Sequence, residues 1–140
     1  MNPPLDREVL AERSAAVIAH FDRVAAHLPA DASELRPMSA ATDTVVLHLW
    51  QAVQMVIDLA TSSCVRLGLG SPATYAEAFG LLARADVLDA GLAERLARAA
   101  GFRNLLVHAY AALDLRRVHV IARAGPADLR AFLAALRDRA

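Results

Sequence analysis

The stretch from Ala40 to Leu67 places an apolar side chain at nearly every third or fourth residue: Val46, Leu49, Val53, Val56, Ala60, Cys64 and Leu67. That spacing fits the 3.6-residue turn of an α-helix and not the two-residue alternation of a strand. A helix this long draws its stability from burying such a stripe against other elements. The stretch therefore commits the chain to helix packing, with Gly68 and Gly70 as its stop signal.

The flanking segments read the same way. A first helix is expected from Pro3 or Pro4, residues suited to a first turn, with Leu10, Val17, Phe21, Val24 and Leu28 as its apolar positions and Pro29-Ala30-Asp31 as its end. A short connection through Pro37 leads to the long second helix. After the turn Ser71-Pro72-Ala73-Thr74, the pair Thr74 and Glu77 has the form of a capping box and opens a short third helix carrying Phe79 and Leu82. Asp89 is a good N-cap for a fourth helix through Leu92 and Leu96. A short helical piece follows Asp114, Gly125-Pro126 reads as a break, and a last helix buries Leu129, Phe132, Leu133 and Leu136. Aromatics make up only 5% of a chain that is 56% hydrophobic, which suits close-packed helices better than strands. The expected fold is all-α: a compact bundle of about five helices, two long antiparallel ones forming its spine, in a single domain over residues 1–140.

Charge and cysteine content narrow the function. Fifteen basic residues, all Arg, balance fifteen acids, so the formal net charge is zero. Coating nucleic acid by bulk electrostatics needs an excess of cations, whereas a small site reading one phosphodiester does not. Cys64 is the only cysteine, which excludes an internal disulfide and a thiolate metal cluster and leaves a core residue or a reactive thiol. His20 and His27 share a helix face seven residues apart, too far for joint ligation, and His48 and His119 have no partner of ligand type at useful spacing. No metal site and no cofactor are expected. Residues 1–8 lack a secretory apolar core, and the longest uncharged stretch near the middle, Thr44 to Ile57, is fourteen residues and contains His48, Gln51 and Gln54. A cytoplasmic protein without a membrane partner is expected.

The segment Arg103-Asn104-Leu105-Leu106-Val107-His108-Ala109-Tyr110 carries the chemistry. At about 100° per residue, Phe102, Leu105, Leu106, Ala109 and Leu113 fall on one arc, and Arg103, Asn104, His108, Tyr110 and Asp114 on the opposite one. Asn104 and His108 are one turn apart and stack; Arg103 and Tyr110 lie in line two turns apart. One cation, one amide, one imidazole and one phenol make a set suited to phosphate. An ordinary solvated face is built from Glu, Lys, Gln and Ala, and here Val107 sits in the middle of the polar arc, so the face expects a partner. Gly101 costs its helix up to ~1 kcal/mol relative to Ala, and its place beside Arg103 implies that something approaches the backbone closely.

This segment is similar to the R-N-x-x-x-H-x-Y signature of HepT-like proteins, a branch of the HEPN superfamily of helical ribonucleases and nucleotide-binding domains. The likeness continues through Ile57-Asp58-Leu59-Ala60, Ser71-Pro72-Ala73-Thr74-Tyr75, Ala78-Phe79, Gly101-Phe102, Asp114 and Asp128-Leu129 with Phe132, covering roughly residues 45 to 136. The N-terminal forty residues match less distinctly, and nothing is carried over from them. The resemblance implies a toxin of a bacterial toxin–antitoxin pair, an RNase working without metal as a homodimer. It also implies a small nucleotidyltransferase antitoxin that silences the toxin by attaching AMP to the motif tyrosine, here Tyr110.

The residues themselves suit RNA cleavage. His108 can serve as base or acid near neutrality, and Arg103 can grip two phosphate oxygens and stay protonated. One chain supplies one of each, and a two-fold dimer would bring two of each into one cleft. Asn104 either orients the imidazole or phosphate or is an ordinary outer residue. Asp58, grouped with Gln51, Gln54 and Ser62, is either solvated or faces the motif helix and orients His108 or Arg103. Arg116 and Arg117 either widen the phosphate-attracting surface or are solvated loop residues. Tyr110 without the resemblance would be a rim residue. The competing reading is a helical module that binds a nucleotide or docks a nucleotidyltransferase without cutting RNA.

Overall fold

The computed structural model describes residues 5–108 and 114–140, with residues 105–108 described as helical backbone. Its described part is all helical: α1 (Arg7–His27), α2 (Ala40–Arg66), α3 (Tyr75–Arg84), α4 (Ala90–His108) and α5 (Leu115–Arg137), with a single 3-10 turn at Ala32–Glu34. The expected all-α bundle of five helices is what the chain forms.

Local chemistry sets the boundaries. Ser39 caps α2 by accepting from Thr42 N at 3.2 Å, and Asp89 caps α4 by accepting from Leu92 N at 3.2 Å. Thr74 accepts from Glu77 N at 3.1 Å, while the Glu77 carboxylate accepts from Ala73 N at 3.0 Å, one residue beyond the N-cap N–H of a standard capping box. Gly68 ends α2 at φ +74°: Leu69 N donates to Cys64 O at 2.8 Å and Gly68 N to Val65 O at 3.1 Å, the two bonds of a Schellman stop. The glycine is there because the left-handed turn excludes most side chains.

Two boundaries depart from expectation. Helix α1 starts at Arg7, capped by Asp6, which accepts from Val9 N at 3.0 Å; Pro3 and Pro4, expected at its first turn, lie outside the described residues. Leu5 is held outside the helix, buried, its N–H donating to Arg139 O at 3.0 Å. Helix α5 runs unbroken through Gly125-Pro126. An interior proline costs about 3 kcal/mol. Val118 and Ala122 before it, and Leu129, Phe132, Leu133 and Leu136 after it, are all buried, and each large side chain contributes roughly 1.5–3 kcal/mol. Burial on both sides holds the two halves in one helix.

Helices α1 and α2 pack antiparallel: Leu10 shares a cleft with Leu59, and His20 meets His48 at the other end. Eleven residues of α2 are buried, among them Val45, Leu49, Ala52, Ala60 and Cys64 with no exposed surface. At 27 residues and a mean hydropathy of 1.2 over its most apolar window, α2 meets the length and apolarity of a membrane span, which the fourteen-residue uncharged stretch does not. Here it is the core helix of the bundle. Phe79 of α3 and Phe132 of α5 cross edge to face at 6.1 Å between ring centroids and close the core. The Cys64 thiol is fully buried and donates to Ala78 O at 3.3 Å; burial first, and the Glu77 charge second, push its pKa up. It is a core residue.

Candidate functional site

Helix α4 carries Arg103 to His108 of the candidate motif, and Phe102 sets their rotation. Phe102 is 1% exposed and plugs the core, which turns the next two residues outward: Arg103 is half-buried and Asn104 exposed. Arg103 Nη1 donates to Asn104 Oδ1 at 3.4 Å, so the amide steadies the guanidinium along the helix surface. Arg103 Nε is sealed from solvent without a hydrogen-bond partner among the described residues, a costly arrangement for a charged donor. His108 stands one turn beyond Asn104 on the same helix, described as backbone. Val107 likewise is described only as backbone, and Tyr110 lies outside the described residues.

The opposite flank of the motif helix explains Gly101. A Cβ on that residue would stand 3.2 Å from the Tyr75 hydroxyl, so the first side chain of α3 rests on the α4 backbone two residues before Arg103. The close approach expected from the sequence is intramolecular. Tyr75 carries no sequence signal for this contact beyond its place after the Thr74 cap and in the family pattern.

Asp58 lies exposed on α2 and accepts from Gln54 Nε2 at 2.9 Å, one turn earlier on its own helix. No bond joins it to Arg103 among the described residues. Gln54 Oε1 and Trp50 Nε1 are buried polar atoms without described partners, and with Asp58 they mark one face of α2 at four-residue intervals.

Past the motif, Arg116 and Arg117 are not loop residues but stand in the first turn of α5, where Asp114 Oδ1 accepts from both backbone N–H groups at 3.0 and 3.4 Å. The Arg117 guanidinium lies 5.4 Å over the Phe102 ring, so α5 begins against the motif helix.

The remaining histidines make tertiary contacts that sequence spacing does not reveal. His20 and His48 are each other's partners, Nδ1 to Nδ1 at 2.9 Å across α1 and α2. His119 donates from Nε2 to Pro29 O at 2.8 Å and ties α5 to the end of α1. No group of three or more His, Cys, Asp or Glu side chains able to hold a metal ion occurs among the described residues.

Known proteins match this arrangement. A family model described as Ribonuclease HepT-like matches residues 19–136, taking in the second half of α1 as well as the motif. The mRNA nuclease HepT of Shewanella oneidensis is 32% identical over 92 residues, spanning 65% of this chain and 69% of that protein. The fold is similar to the tri-AMPylated HEPN toxin of Shewanella oneidensis solved in complex with an MNT antitoxin, with a TM-score of 0.84 at 23% identity over 95% of this chain and 99% of that one. A cytosolic protein of unknown function from Bacillus subtilis superposes with a TM-score of 0.76 at 15% identity, over 99% of this chain and 92% of that one. With the family pattern running from α1 to α5 and through the Arg103 to His108 segment, the chain belongs to the HepT-like ribonuclease family.

Proposed function

We propose that the chain is a metal-independent RNase toxin whose cleavage site forms between two copies of it, with Arg103 and His108 as catalytic pair and Tyr110 as the residue silenced by AMP transfer. The observation that carries this reading is Arg103: a half-buried guanidinium steadied by Asn104 on α4, in a family whose relative is an mRNA nuclease. In the reaction, one imidazole takes the proton of a ribose 2′-hydroxyl. The freed oxygen attacks the adjacent phosphorus, the bond from phosphorus to the 5′-oxygen breaks, and the second subunit's imidazolium protonates the leaving oxygen. Both arginines face the charge that builds up on the phosphorane, a preorganised contribution of ~3 kcal/mol. The exposed Leu47 and half-buried Trp50 of α2 leave an apolar edge for the second copy.

A nucleotidyltransferase antitoxin is the proposed partner, supported by the AMPylated relative solved with an MNT antitoxin. AMP on the Tyr110 oxygen would put a phosphodiester charge and a base where substrate phosphate binds. The cytoplasm is the proposed compartment, as for the Bacillus relative.

The test is incubation of purified protein with RNA in chelator, beside His108→Ala, with the new ends mapped. Cutting by the parent and its loss in the variant are expected. Intact RNA with the parent, or equal cutting by both, leaves the non-catalytic docking module as the reading. Tyr110→Phe should abolish AMP incorporation by the cognate antitoxin; incorporation at the parent's level removes the acceptor assignment.

A further inference from the structure

One edge of α5 carries Arg116, Arg123, Arg130 and Arg137, each seven residues after the last and all exposed. Seven residues fall just short of two turns, so successive members drift by only ~20°. At a rise of 1.5 Å per residue they stand about 10.5 Å apart and span about 32 Å. From 115 to 137 the helix holds five arginines against one aspartate, a formal +4 within a chain of net zero. That aspartate is engaged on the flank toward α4, where Asp128 accepts from Arg95 Nε at 3.0 Å. Arg130 and Arg137 face the other way and line a cavity of about 490 Å³ with Arg7, Leu10, Ile18 and Leu133. None of the four guanidinium groups in the row has a partner among the described residues.

Helix stability explains only Arg137, which stands in the last turn where the dipole favours a cation. Arg116 and Arg117 occupy the first turn, where the helix dipole disfavours cations. Arg117 covers Phe102, the residue before Arg103, and Arg116 stands beside it at the start of α5. A row of evenly spaced, unpaired cations that starts at the motif helix complements a ligand whose negative charge also repeats evenly. The apolar floor of the cavity, beside the planes of Arg130 and Arg137, suits a splayed base.

We propose that this edge of α5 is an RNA track: a single strand held at the cleavage site leaves it past Arg117 and Arg116 and lays its phosphates along Arg123, Arg130 and Arg137. The proposal rests on the nuclease reading above, deepening it to a substrate requirement, namely a single-stranded stretch long enough to reach the far end of α5.

The test reads binding apart from cutting. In the His108→Ala background, affinities for a single-stranded RNA tetramer and a 24-mer are measured over a range of salt, with and without Arg123→Gln, Arg130→Gln and Arg137→Gln combined. Circular dichroism confirms that the exposed substitutions leave the fold intact. The triple variant should lose the advantage of the 24-mer, on the order of 10–100-fold at 0.1 M salt, and flatten the log–log salt slope by about 2, roughly 0.7 per phosphate contact. The matching Arg→Lys triple variant should keep most of that slope. An unchanged slope and 24-mer affinity in the Gln variant overturn the track. So does a variant that binds RNA normally and loses only the cognate nucleotidyltransferase, which makes the edge a protein-docking face. Failure of the nuclease reading itself is recognised separately, by intact RNA with the parent protein.

Discussion

His20 and His48 face each other across the α1–α2 interface with their Nδ1 atoms 2.9 Å apart, a distance that requires one ring to donate and the other to accept. The pair therefore holds one proton between the two nitrogens and not two. Burial of the ring first, and then the charges of His20, Arg23 and His27, hold the His48 pKa below its ordinary value.

The sign of the pH dependence follows. On acidification the unfolded chain takes up a proton at His48 near the ordinary pKa of ~6.5, while the folded chain resists until lower pH. The unfolded state thus binds more protons in that window, and stability falls as pH drops through it. Thermal unfolding should show a lower Tm at pH 5.5 than at pH 7.5, and His48→Gln should reduce the difference. Equal pH dependence of parent and variant would remove the pair as its source.

Gly101 and Tyr75 make a second testable relationship. Gly101→Ala should gain up to ~1 kcal/mol of helix propensity, but the new Cβ would meet the Tyr75 hydroxyl at 3.2 Å. Tyr75→Phe removes that oxygen. In the Tyr75→Phe background Gly101→Ala should raise stability by about 0.5–1 kcal/mol, and in the parent by less or not at all. A double-mutant cycle in denaturant measures the coupling; independent, additive effects would mean that the hydroxyl does not press on α4.

These contacts show which parts of the molecule are legible without coordinates. The α2 stripe, the Gly68 stop and the Ser39, Thr74 and Asp89 caps are local, each set by residues within a turn or two, and sequence spacing identifies the stripe, the stop and the Thr74 and Asp89 caps. Arg103 and Asn104 are legible for the same reason, since one helix carries both. The break expected at Gly125-Pro126 is a local rule overridden by burial on both sides, which spacing does not weigh. The His20–His48 bond depends on the register between two helices, and the engagement of Asp58 by Gln54, not Arg103, depends on the rotation of α2. Neither quantity is encoded within a single helix.

Pro126 is the expected weak point of α5. It has no N–H to donate to Ala122 O, and its ring crowds that carbonyl. Pro126→Ala should stabilise the protein by roughly 1–3 kcal/mol, read as a higher denaturant midpoint at constant slope. An unchanged or lower midpoint would indicate that a bend at Pro126 is needed for α5 to seat both Val118 and Leu136.

The Arg103–Asn104 contact predicts a graded loss of cleavage. Arg103→Lys keeps the charge but not the planar pair of donors, and kcat should fall on the order of 100-fold or more. Asn104→Ala leaves the guanidinium in place but unsteadied; the loss should be roughly tenfold, matching the ~1.5 kcal/mol of a hydrogen bond to a charged group. It should appear in kcat more than in KM, because a positioning contact matters most when the phosphorane forms. Asn104 is exposed, so Asn104→Ala should not shift Tm by more than a degree or two. If Asn104→Ala abolished cleavage as completely as Arg103→Ala with the fold intact, Asn104 would contact the substrate itself.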